Sequence, residues 1–102
     1  SDAHESLRMG IRQPQMEPKT CADGLRTALG GLNFEILSKY SLPIHLVDED
    51  EIKDAQAILM SCLKILVEPS AAVAFAGLLK NGPHHAQSKV ICVLVSGGNA
   101  KV

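Results

Sequence analysis

The sequence has no tryptophan, one tyrosine and two phenylalanines, so aromatic residues are 3% of the 102. That scarcity argues against a platform on which nucleic-acid bases stack. Charge of one sign is also missing: ten Lys and Arg stand against eleven Asp and Glu, for a net charge of −1 and a pI near 6.4. Such a balance leaves no electrostatic footprint for nucleic acid or an anionic membrane. The longest apolar runs, Ala71–Ala76 and Val90–Val95, fall far short of the roughly 20 residues that span a bilayer as a helix. Neither a nucleic-acid nor a membrane partner is expected.

Cysteines are few, and Cys21, Cys62 and Cys92 are odd in number and show no CxxC spacing. They build neither a zinc site nor a disulfide framework, and are expected to be buried free thiols in a reducing compartment. Ser1–Gly10 is charged and has no apolar stretch, so it does not read as a signal peptide. The expected location is the cytoplasm, with a start that is processed or cut because no Met opens the chain. What remains is 46% apolar and 21% charged with a mean hydropathy of +0.12. That is the composition of one small globular unit rather than a disordered chain.

Residues 1–19 are polar, and Pro14 and Pro18 make Gly10–Lys19 a loop after a short helix over Asp2–Met9. Asp23 is placed to cap a short helical stretch, Leu25–Leu29. Asn33 is placed to cap a second helix, Phe34–Tyr40, with Leu32, Ile36, Leu37 and Tyr40 as its buried set. Ile44–Val47 reads as a short strand. Asp48 and Glu51 have capping-box spacing, and Ile52, Ala55, Leu59, Leu63 and Leu66 then recur at helical spacing to about Lys64 or Leu66. The acids Asp48–Glu51 suit the positive end of a helix dipole and read as a solvated helix start.

Glu68-Pro69-Ser70 opens another helix, with proline comfortable in the first turn. Its body, Ala71–Leu79, is almost wholly apolar, as in a helix covered on most sides. Asn81-Gly82-Pro83 stops it, and His84-His85 reads as a solvated loop pair. Val90–Val95 has no polar alternation, the pattern of a central parallel strand covered on both faces. Ser96-Gly97-Gly98-Asn99 follows at its carboxyl end, where ligands sit in open α/β sheets. The fold class expected is α/β, with a mostly parallel sheet in three layers. Two strands cannot cover such a helix and such a strand. The chain is therefore expected to be incomplete alone, part of a larger domain or paired with another chain.

Two positions carry candidate chemistry. Ser96 offers a hydroxyl beside two glycines that let a ligand approach the backbone. Glu68 places a carboxylate at a helix start among apolar neighbours.

Three stretches carry a resemblance. Thr20-Cys21-Ala22-Asp23-Gly24-Leu25-Arg26-Thr27, with Leu29-Gly30 and Leu32-Asn33-Phe34, is one. Val67-Glu68-Pro69-Ser70-Ala71-Ala72-Val73-Ala74 is the second, and Val90–Val95 with Ser96-Gly97-Gly98-Asn99 the third. In this order and spacing they resemble the serine/threonine dehydratase and serine racemase family, pyridoxal-phosphate enzymes of the tryptophan-synthase-β fold type. The likeness runs from Thr20 to Asn99 and more weakly over Asp2–Lys19. It implies that residues 1–102 are a C-terminal segment of the cofactor-binding large domain, with 20–102 as its core.

The resemblance implies a pyridoxal 5′-phosphate site in which Ser96 bonds the pyridine nitrogen, Gly97 and Gly98 lie against the ring, and Glu68 stands near it. Asp2 aligns with an acidic ligand of a divalent-cation site (Mg, Mn or Ca). The implied reaction is dehydration of L-serine or L-threonine, an ammonia-lyase activity giving a 2-oxo acid and ammonia. A serine racemase segment and a truncated, non-catalytic interaction module are the alternatives. The family's Schiff-base lysine and glycine-rich phosphate loop are absent, and none of the seven lysines has the family context. The chain alone is therefore expected to be inactive. Its partners would be the missing N-terminal part of the same enzyme, a small amino-acid substrate, and further copies in a dimer or tetramer. Ala100 and Lys101 depart from the family pattern after Asn99, as do Ser41–His45 and Ala71.

Overall fold

A computed structural model describes residues 1–14, 17–82 and 90–100. Pro83, His84-His85, Lys89 and Lys101 lie outside the described residues. Among the described residues four helices appear in the order α1 (Asp2–Met9), α2 (Gly31–Lys39), α3 (Glu49–Leu63) and α4 (Pro69–Asn81), with a 3-10 turn at Asp23–Leu25 between the first two.

Each helix boundary has a local cause. The Ser1 side chain caps α1 by accepting the His4 N–H, and Gly10 ends it at φ 70. Helix α3 has the full capping box: Asp48 accepts from Asp50 and Glu51, while Glu51 accepts the Asp48 N–H at 2.8 Å. It ends one turn earlier than the farthest expectation, because Lys64 turns left-handed at φ 56. Pro69 opens α4 and Gly82 closes it at φ 67.

Two starts differ from expectation. Asp23 does not cap a helix over Leu25–Leu29; the stretch stops after one 3-10 turn, held by Leu25 N–H to Ala22 O at 2.9 Å. Helix α2 begins at Gly31 rather than Phe34, and Gly30 takes the cap position without a side-chain bond.

The core lies between α3 and α4. Ile52, Ala55, Leu59, Val67, Ala71, Ala72 and Ala76 are buried there, and Ala22 reaches in from the 3-10 turn with no exposure at all. The alanines let the two helix backbones approach closely. Gln56 Nε2 donates to the Val67 carbonyl at 2.7 Å, and Lys80 Nζ meets Glu51 Oε2 at 2.9 Å. Ser6, fully buried, donates to the Asp2 carbonyl and accepts the Gln13 N–H, which pins the loop back onto α1.

The buried set expected for α2 is largely exposed: Leu32, Ile36 and Tyr40 face outward, and only Leu37 is half-covered. Leu63 and Leu66 are also exposed, so the α3 stripe is buried only as far as Leu59. Cys21 is half-buried while Cys62 and Cys92 are exposed, which corrects the expectation of three buried thiols. Neither Ile44–Val47 nor Val90–Val95 makes a β ladder among the described residues. A strand needs a neighbour about 4.8 Å away to share hydrogen bonds, and these two do not pair with each other. Val90 and Leu94 are 80% and 75% exposed. Large apolar side chains left open in this way mark surface made to be covered. No helix among the described residues is long and apolar enough to cross a membrane.

Candidate functional site

The structure brings Glu68 and the Ser96–Asn99 corner together from opposite ends of α4. The Glu68 N–H donates to Gly97 O at 3.2 Å, and Ala100 N–H folds the corner back onto Gly98 O at 2.8 Å. Neither glycine has a positive φ, so close approach and not backbone strain is what disfavours a side chain here, most firmly at Gly98. A Cβ at Gly97 would overlap the Glu68 carboxylate and lie 2.7 Å from its Cδ. A Cβ at Gly98 would lie 2.7 Å from the Leu66 carbonyl oxygen. Ser96 is exposed, and among the described residues its hydroxyl has no hydrogen-bond partner. Glu68 is half-buried. The corner therefore presents a free hydroxyl, two residues without side chains and one carboxylate.

A second cluster was not legible as a site. Glu49 Oε2 accepts the Cys21 N–H at 2.7 Å. The Cys21 thiol and the Thr20 hydroxyl add side-chain bonds, and together these hold the Glu49 carboxyl down to about 2. Burial pushes the Cys21 thiol up, and the bond to Glu49 pushes it further. Its only signal was the run of acids Asp48–Glu51. Ser70 is a third addition: its Oγ accepts the Gly24 N–H at 3.0 Å. Its signal was its place directly after Glu68-Pro69.

Asp2 is engaged by a residue 27 positions on, its Oδ2 accepting the Leu29 N–H at 2.9 Å, while Arg12 Nη1 donates to Leu29 O at 3.1 Å. Among the described residues no three His, Cys, Asp or Glu side chains gather as a metal site. Two clefts open elsewhere. One of about 810 Å3 lies between α1 and α2, and one of about 430 Å3 lies beside Thr20, Glu49, Ile52 and Val73. Glu68 and Ser96–Gly98 line neither. The corner is one wall, whereas a ligand pocket encloses most of its ligand.

The chain is similar to known proteins. The profile described as "Pyridoxal-phosphate dependent enzyme" matches residues 1–97. Serine racemase of Dictyostelium discoideum is 38% identical over 101 residues, covering 96% of this chain and 31% of the relative. Its crystal structure superposes with a TM-score of 0.88 at 35% identity, covering 99% of this chain and 32% of that one. The beta-hydroxyaspartate dehydratase of Paracoccus denitrificans (strain Pd 1222) is 37% identical over 98 residues, with 96% and 31% covered. The crystal structure of the T.th. threonine deaminase superposes with a TM-score of 0.87 at 34% identity, covering all of this chain and 37% of that one.

The fold is thus a fragment of the one that these pyridoxal-phosphate enzymes share. The chain belongs to the pyridoxal-phosphate-dependent enzyme family, whose members include serine racemases and dehydratases. It spans about a third of the length of the curated relatives it matches.

Proposed function

We propose that this chain is part of a pyridoxal-phosphate-dependent L-serine/L-threonine dehydratase, an ammonia-lyase that expels the β-hydroxyl and releases a 2-oxo acid and ammonia. The observation that carries the reading is the packing of Glu68 on Gly97 beside the free Ser96 hydroxyl. This donor set fits a flat ring with one basic nitrogen: a single O–H to donate, no Cβ to obstruct the ring, and a carboxylate at the edge.

When bound, pyridoxal 5′-phosphate supplies an electron sink for the substrate's α-carbon. Ser96 would hold the pyridine nitrogen by donating its hydroxyl proton. A serine O–H is too weak an acid to give that proton up, so Ser96 would leave the ring nitrogen neutral and the sink weak. That suits elimination, in which the departing hydroxyl carries the negative charge away. Gly97 and Gly98 would keep the ring's neighbourhood clear, and Glu68 would form its polar edge.

In this reading the chain alone is not catalytic, because none of its lysines stands in the family's context for carrying the cofactor. The rest of the same enzyme would cover Val90, Leu94 and the outer face of α2, and would supply that lysine and the phosphate loop. A small amino-acid substrate, a homo-oligomer and a cytoplasmic setting belong to the same proposal. A cation at Asp2 draws no support from the described residues, where that carboxylate serves Leu29.

The 38% identity to a serine racemase favours a second reading, in which the same corner serves inversion of serine. Assay of the whole protein with L-serine and L-threonine separates the two. Release of 2-oxo acid and ammonia supports the dehydratase; D-serine as the main product replaces it with the racemase. No turnover of either substrate, with no bound pyridoxal absorbance, overturns both.

A further inference from the structure

Ser70 makes contacts that its own helix does not require. It is the second residue of α4, yet its Oγ accepts the Gly24 N–H at 3.0 Å and donates to Asp23 Oδ1 at 3.4 Å, 46 and 47 residues earlier in the chain. The approach is close enough to require glycine at 24: a Cβ there would lie 2.9 Å from Ser70 Oγ and 3.1 Å from Ser70 Cβ. The turn that Ser70 grips is itself well held. Ala22 is buried in the core, Ala22 N–H bonds Thr20 Oγ1, and the Arg26 side chain bonds the Thr20 carbonyl.

The start of α4, by contrast, has no side-chain cap. Besides the core packing of Val67, Ala71 and Ala72, it is tied by Glu68 N–H on Gly97 O and by Ser70 on the turn. Pro69 stands between them, and its ring locks φ. Ser70 and Glu68 are thus joined through one residue of fixed φ.

We propose that Ser70 is a positioning residue, anchoring α4 on the Asp23-Gly24 turn and thereby setting where Glu68 meets Gly97. The consequence for cofactor binding rests on the function proposed above; the anchoring itself does not.

The test is amide hydrogen exchange at Glu68, read with pyridoxal 5′-phosphate binding by absorbance, both on the whole protein. Ser70→Ala removes the acceptor, and Gly24→Ala displaces the hydroxyl from the turn's side, its new methyl meeting α4 at Ser70 alone. Each should speed Glu68 exchange roughly three- to tenfold, the effect of one lost hydrogen bond of ordinary strength. Exchange at Leu59, in the middle of α3, should not change. Ser70→Thr keeps the hydroxyl and should restore the Glu68 rate. Unchanged Glu68 exchange in both disrupting variants overturns the proposal. So does an equal acceleration at Leu59, which would mean general loosening. If Glu68 exchange rises while pyridoxal 5′-phosphate binding stays the same, the anchor stands and the cofactor reading of the corner falls.

Discussion

The Glu49 carboxylate accepts the backbone N–H of Cys21 at 2.7 Å, joining the first residue of α3 to a turn 28 residues earlier. The Cys21 thiol and Thr20 hydroxyl complete the arrangement, so the ionised carboxylate is the form the fold prefers. Its pKa falls from 4.5 to about 2. A carboxyl depressed in the folded state contributes stability at pH values above its unfolded pKa and loses it as pH falls through the folded one. Denaturant midpoints should therefore decline as pH drops from about 4.5 toward 2. In Glu49→Gln the decline over that window should be shallower. Equal slopes in the two proteins would refute the assignment.

The same contact makes Cys21 a poor nucleophile. Thiolates react, and burial together with the Glu49 bond disfavours the Cys21 thiolate. Under limiting iodoacetamide at about pH 8, near the ordinary thiol pKa, mass spectrometry should find Cys62, exposed on α3, alkylated well before Cys21. Labelling of Cys21 first would show that the Glu49 contact does not persist in solution.

The two corner glycines should not be equivalent. A methyl at Gly97 meets the Glu68 side chain, which can rotate away; a methyl at Gly98 meets the Leu66 carbonyl, which cannot. Gly98→Ala should lower stability by about 1–3 kcal/mol, the usual range for overpacking, and Gly97→Ala by less. Glu68→Ala added to Gly97→Ala should recover most of the smaller loss. Thermal melts of the set check the order, and a Gly97→Ala cost above that of Gly98→Ala contradicts it.

Gln56 supports the approach to Glu68 from below, because its amide meets the carbonyl of fully buried Val67 at 2.7 Å. Gln56→Ala strands that carbonyl and should cost about 1–3 kcal/mol. Gln56→Glu should be nearly as harmful, because an ionised carboxylate cannot donate. Urea unfolding of both variants checks the ranking, and a Gln56→Glu protein as stable as the parent would show that the bond carries no weight.

Much of the local structure was legible because its causes are local. The capping box at Asp48 and Glu51, proline at the first position of α4 and glycine at the end of α1 and of α4 act within a few residues. The extent of burial was harder to read. Leu32, Ile36 and Tyr40 form a proper helical stripe, but periodicity names a face and not what lies against it. Likewise Val90–Val95 is written as a covered strand, yet a ladder depends on a neighbour that no local pattern supplies.

By itself, then, the sequence determined helices α1, α3 and α4 with their starts, the Ser96-Gly97-Gly98 motif and the family likeness, all of which depend on residue type and near spacing. Only the tertiary structure decided that Glu68 fills the space a side chain at Gly97 would need, that Ser70 grips Gly24, and that Glu49 receives Cys21. Those pairings join residues 28 to 46 positions apart in the chain. Which distant atoms meet is set by how α3 and α4 pack through their small side chains, not by any spacing within one segment.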